Sequence, residues 1–142
     1  MIEFVLDGRS KLNTYVQLVQ QVKQGLRVGL LVPGDQLPKV RDVVQALAIN
    51  PNTVLKAYRE LVLEGLAEGR PGVGTFVTGT LGKGPGAEQD ALREELVDWL
   101  RRAQQAGLSH EDITALVETT IRAVFIPAKR PDRSTEPDKQ SA

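Results

Sequence analysis

The sequence predicts a mainly α fold with a small β-hairpin wing, and three observations carry that prediction. Apolar residues recur at three- and four-residue steps over five separate stretches, the stripe of an amphipathic helix. The third stretch opens on Asn50-Pro51, a good N-cap followed by a residue that forfeits only an amide hydrogen with no partner. Between the third and fourth stretches, two short extended runs flank Pro71-Gly72-Val73-Gly74. Helix, tight turn, helix and glycine-tipped hairpin in that order describe a winged helix-turn-helix. A further pair of helices follows it.

In chain order, Ile2, Phe4 and Leu6 alternate with Glu3 and Val5, which predicts a short strand ending at Asp7-Gly8. Leu12, Tyr15, Val16, Val19, Val22 and Leu26 stripe the first helix, with Ser10 as its cap and Gly29 near its end. Pro33-Gly34-Asp35 is a turn. Residues 40–48 form the second helix, with Val40, Val43, Val44 and Leu47 on one face. The third runs to about Glu64. Its expected buried side is Val54, Ala57, Tyr58, Leu61 and Val62; Asn52, Leu55, Lys56 and Arg59 lie opposite, and Gly65 ends it. Strands are expected over residues 66–70 and 75–78.

These elements predict a winged helix-turn-helix domain over residues 1–79. Residues 80–86, rich in glycine, predict a flexible linker. Residues 87–126 predict a two-helix region. Leu92, Leu96, Trp99, Leu100 and Ala103 stripe its first helix, which Gly107 breaks. Ser109 and Asp112 have the spacing of a capping box, and Ile113, Leu116, Val117, Ile121, Val124 and Phe125 stripe its second helix. Residues 127–142, rich in proline, charge and small polar side chains, predict a disordered tail.

A hydrophobic content of 41% with 25% charged residues is ordinary for a globular protein. There is no cysteine, which excludes disulfides and thiolate metal sites, and the lone His110 builds no metal centre by itself. No cofactor is expected. The N-terminus lacks the pattern of a signal peptide and no apolar run reaches the length of a membrane span, so a cytoplasmic location is expected. No catalytic constellation is visible. Asp35 and Glu64 occupy turn and helix-end positions that the fold already explains, so an enzyme is not expected. Eighteen basic residues balance eighteen acidic ones, but residues 1–80 hold nine against seven and residues 81–142 nine against eleven. The front is therefore mildly basic and the rear mildly acidic, a weak version of the usual electrostatic footprint of a DNA-binding protein.

The second helix of a helix-turn-helix enters the DNA major groove. Gly29-Leu30-Leu31-Val32-Pro33-Gly34-Asp35-Gln36-Leu37-Pro38-Lys39-Val40-Arg41 and Gly72-Val73-Gly74-Thr75-Phe76-Val77 resemble the pattern of the GntR family of bacterial transcription regulators. Asn50-Pro51-Asn52-Thr53-Val54 and Lys56-Ala57-Tyr58 resemble its YtrA branch in particular, as does the short two-helix C-terminal region. The resemblance implies a regulator of double-stranded DNA, a repressor at an inverted-repeat operator, with transporter genes among its targets.

It also implies roles for single residues. Arg41 stands where the family sets an arginine against DNA, suited to phosphates or a guanine edge; the plainer reading is a surface salt bridge to Asp42 or Glu60. Lys39 departs from the family's serine and is equally a phosphate contact or a solvated charge. Asn50 chiefly caps its helix, whereas Asn52 and Thr53 at the leading end are the better candidates for base or phosphate contact. Leu55, apolar on the same face, suits a thymine methyl or a subunit neighbour, and Lys56 a backbone phosphate. In the wing, Arg70 and Gly72 are expected near the minor groove or its flanking phosphates.

One recognition helix reads too few base pairs, so a homodimer is expected. Its interface is placed on Leu92, Leu96, Trp99, Leu100, Leu116, Ile121 and Val124, since a lone helix pair cannot bury both apolar stripes. Two helices leave little room for a small-molecule effector cavity except at that interface. A winged helix serving only as a protein-interaction module is the competing reading, kept open by the neutral charge.

Overall fold

In the computed structural model, which describes residues 2–83 and 86–126, five helices and one hairpin are found among the described residues. They are α1 (Thr14–Arg27), α2 (Val40–Leu47), α3 (Pro51–Leu63), β1 (Ala67–Arg70), β2 (Gly74–Val77), α4 (Ala87–Gln105) and α5 (His110–Phe125). The expected tail at residues 127–142, and two residues of the expected linker, lie outside the described residues. The chain divides into two compact units, Met1–Ala91 and Leu92–Ala142.

The core of the first unit follows from helical spacing. Leu18, Val19, Val22 and Leu26 of α1 meet Val54, Ala57, Tyr58 and Leu61 of α3, with Leu31, Leu37, Val43, Leu66, Ala67 and Val77 closing the sides. Each fully buried leucine or valine adds roughly 1.5–3 kcal/mol over its exposed state. Lys23 Nζ reaches Glu64 Oε1 at 2.6 Å, joining α1 to the end of α3 at the partly exposed rim of that core. The turn between α2 and α3 places Ala48 in the left-handed region at φ 54°. Asn50 then starts α3 as expected, its Oδ1 accepting from Asn52 N at 2.8 Å with Pro51 in the first turn.

The hairpin pairs Ala67 with Val77 and Arg70 with Gly74, each strand displaced slightly from its expected range. It has a third partner that the sequence reading missed. Leu37 N donates to Thr75 O and Val77 N to Asp35 O, both at 2.8 Å, so the residues before α2 run as a short edge beside β2. Gln36 ties this edge to the hairpin tip, donating from Nε2 to Val73 O at 3.1 Å.

Three other expectations are corrected. Residues 2–6 are extended and half-bury Ile2, Phe4 and Leu6, yet they form no strand. Their backbone is satisfied by side chains of α1: Val5 N donates to Gln21 Oε1 and Asp7 N to Gln17 Oε1, each at 2.9 Å. Alternation dictated the extended path; the pairing edge is replaced by two glutamines. Ser10 does not cap α1, because its Oγ accepts from Leu12 N in a local turn and the helix begins after Asn13. Val62 is 41% exposed, since the buried arc of α3 closes at Leu61.

In the second unit, α5 opens on the expected capping box. Ser109 N donates to Asp112 Oδ2 at 2.9 Å, and Asp112 N to Ser109 Oγ at 3.1 Å. The backbone hydrogen bond from Ser109, then its side chain, hold the Asp112 carboxyl below its ordinary pKa. No residue of α4 or α5 is buried.

Candidate nucleic-acid interface

The elements above bring four of the singled-out residues into one groove. Lys39 holds the N-cap position of α2 in extended backbone, without a side-chain cap hydrogen bond, as expected of an ammonium in a hydroxyl's place. Arg41, in the first turn, is largely exposed; its Nε lies 3.8 Å from Asp42 Oδ1, too far for a good hydrogen bond. The hydroxyl of Tyr58 donates to Pro38 O at 2.5 Å and so fixes the entry to α2 against α3. Burial pushes the Tyr58 hydroxyl far above its usual pKa, which keeps it a neutral donor.

Across from α2 stands the hairpin. Gly72 at φ 75° makes its turn, and Arg70 leans back over the Phe76 ring, 4.1 Å from the centroid, while its Nε donates to Glu68 Oε2 at 3.2 Å. The groove between them has a volume of about 610 Å³ and is lined by Lys39, Arg41, Arg70 and Gly72 among others. Three cations and no carboxylate line it. On a chain with zero formal net charge that lining is locally rich in cations, with Arg41 3.8 Å from Asp42 and Arg70 3.2 Å from Glu68 outside it.

The outer face of α3 is separate from that lining. Asn52, Lys56 and Arg59 border a shallow depression with Glu60 and Leu63. Lys56 is held 4.1 Å above the ring of Tyr15 from α1. Leu55 is 44% exposed, as are Val62 and Leu63 further along the helix at 41% and 77%, while Thr53 is half-buried and its N–H donates to Asn50 O. The rings of Tyr15 and Phe76 escaped the sequence reading because one is a member of the α1 stripe and the other a strand residue. No spacing rule links either to the cation it supports.

Among the expected interface residues of the second unit, Leu92, Leu96, Leu116, Ile121 and Val124 are 42–63% exposed, and Trp99 and Leu100 are half-buried. Among the described residues no cluster of His, Asp or Glu side chains forms a metal site, and no helix is long and apolar enough to cross a membrane.

Comparison with known proteins agrees with this layout. The profile of the bacterial regulatory proteins of the gntR family matches residues 14–77, from the start of α1 to the end of β2. The chain is 37% identical over 112 residues to the HTH-type transcriptional repressor YtrA of Bacillus subtilis, covering 76% of this chain and 84% of that one. Its fold is similar to that of YtrA from Sulfolobus acidocaldarius, a GntR-family transcription factor (30% identity, TM-score 0.50, 69% of this chain and 97% of that one). It is also similar to a transcriptional antiterminator from Listeria monocytogenes (27% identity, TM-score 0.53, 87% and 93%). On the family profile over the winged helix-turn-helix and the 37% identity across 84% of YtrA, the chain belongs to the GntR family of transcriptional regulators and is a homologue of YtrA.

Proposed function

We propose that the protein is a homodimeric repressor that occludes a promoter by binding an inverted-repeat operator. In this reading α3 enters the major groove with Asn52, Thr53, Leu55 and Lys56 leading, while Lys39, Arg41 and the wing residues Arg70 and Gly72 grip the flanking backbone. The observation that carries it is the groove between α2 and the hairpin, lined by three cations and no carboxylate on a neutral chain. Phosphates fill such a groove, and their neutralisation releases counterions. The exposed apolar faces of α4 and α5 support a second copy as their cover, because neither helix buries a residue on its own.

The reading is tested by electrophoretic shift with genomic fragments over a range of salt. A small subset of fragments is expected to shift, with affinity falling steeply as salt rises. Lys56→Ala, which removes one phosphate contact from each protomer, is expected to weaken all fragments alike and lower the salt slope of the dimer by about 2. A shift of equal strength on every fragment, or none, sinks the proposal. Retention of a protein partner after Arg41→Ala and Lys56→Ala favours the interaction-module reading instead.

A further inference from the structure

Pro38 and Lys39 line two depressions at once. One is the cationic groove; the other is a cavity of about 470 Å³ between the N-terminal segment and α2. The walls of this second cavity are apolar, formed by Ile2, Phe4, Leu37, Val43, Ala46 and Leu47, and Leu37 and Val43 are buried. Its charged lining residues are Glu3, Lys39 and Asp42. Two carboxylates and one ammonium line it, the reverse of the groove that shares its Pro38-Lys39 wall, with Asp42 also 3.8 Å from Arg41 Nε. Its size lies within the range of about 300–1,000 Å³ typical of small-molecule sites.

We propose that this cavity is a binding site for a small organic cation, with an apolar body of about a dozen heavy atoms and one protonated amine. The walls select the apolar body, because burying it against Phe4, Leu37 and Val43 removes hydrocarbon from water. Glu3 and Asp42 select the amine, and they oppose an anion of the same shape. Lys39 is the lever. The residue lines both depressions, so an amine bound beside Glu3 and Asp42 changes the field around one of the three groove cations. The effect on the groove rests on the proposed DNA reading; the binding site itself does not.

The intact chain is titrated with 4-phenylbutylamine, 4-phenylbutanol and 4-phenylbutanoate and followed by methyl NMR without DNA. The amine is expected to move the signals of Leu37, Val43, Ala46 and Leu47 and to bind at least about ten-fold more tightly than the alcohol, equivalent to about 1.4 kcal/mol. The carboxylate is expected to bind more weakly still. Glu3→Gln with Asp42→Asn, both at exposed positions, removes the preference for the amine. Ala46→Phe, placed at an exposed lining residue, blocks all three probes while leaving the signals of the hairpin unchanged. Equal affinity for the three probes overturns the proposal, as does binding that survives Ala46→Phe or that maps to the apolar stripes of α4 and α5. With an operator fragment in hand, saturating amine is expected to change its affinity at least three-fold, and no change refutes the coupling through Lys39. Because the titration uses no DNA, failure of the DNA reading leaves its result standing.

Discussion

Arg70 and Lys56 each rest on an aromatic ring, at 4.1 Å from Phe76 and Tyr15 respectively, an arrangement that draws on the negative face of the ring. The two cations differ in a way that matters for the proposed DNA contact: Arg70 also has a carboxylate partner in Glu68, with both side chains about half exposed. An exposed pair of this kind contributes only about 0.2–1 kcal/mol, so the protein loses little when Glu68 is neutralised. A phosphate near Arg70 gains more, since it no longer faces a like charge. Glu68→Gln is therefore expected to raise operator affinity about three-fold while lowering stability by no more than about 1 kcal/mol, read by fluorescence anisotropy and calorimetry. Tyr58 is the counterpart whose role is structural. Tyr58→Phe leaves the Pro38 carbonyl without its donor and is expected to cost about 1 kcal/mol at pH 8. Burial raises the folded-state pKa of Tyr58, so its contribution is complete below the unfolded-state value near 10 and declines as pH rises beyond it. Phenylalanine has no proton to lose, so the gap between the two proteins should close by about pH 11 in urea unfolding, at about 1.4 kcal/mol per pH unit.

At the scale of elements, the join between α2 and α3 carries a small strain. Ala48 at φ 54° puts a Cβ where left-handed backbone crowds it, at about 1–2 kcal/mol, whereas glycine there gives up about 0.5–1 kcal/mol of chain entropy. The first effect is the larger, so Ala48→Gly is expected to stabilise the first unit by up to about 1 kcal/mol in denaturant unfolding without altering α3. The helices were legible in the sequence because each carries a three-to-four-residue stripe, and Asn50 and Ser109 marked their starts by cap chemistry. The edge at Asp35–Leu37 was not legible: a short bridge offers no periodicity, and its partners lie in β2, far along the chain. Residues 2–6 show the opposite failure. Their alternation predicts a strand, but the fold makes them extended backbone without a strand partner, bonded instead to the side chains of Gln17 and Gln21. The candidate site divides the same way. Lys39, Arg41, Arg70 and Gly72 were named from family motifs, while the rings under Lys56 and Arg70 and the cavity behind Lys39 emerge only from packing.

For the whole molecule, the exposed apolar residues of α4 and α5 bear on the proposed assembly. A dimer is expected in sedimentation equilibrium, and Leu96→Glu, on a residue 49% exposed, is expected to yield a monomer whose first unit still unfolds cooperatively. Loss of one half of the two-fold reader should lower affinity for an inverted repeat far more than affinity for a single half-site. A variant that stays dimeric places the interface elsewhere. The stitching of Asp35–Leu37 to β2, with Gln36 holding the carbonyl of Val73, has a thermodynamic consequence for that reader. A free-standing hairpin would surrender its backbone freedom at the moment of docking, at roughly 1–2 kcal/mol per residue fixed. Here that freedom is lost during folding instead, so in the proposed reading the wing and the entry to α2 meet DNA as one preset jaw. Calorimetry should accordingly find a heat-capacity change of binding no larger than the contact area explains, without the added signature of a segment that folds on its target.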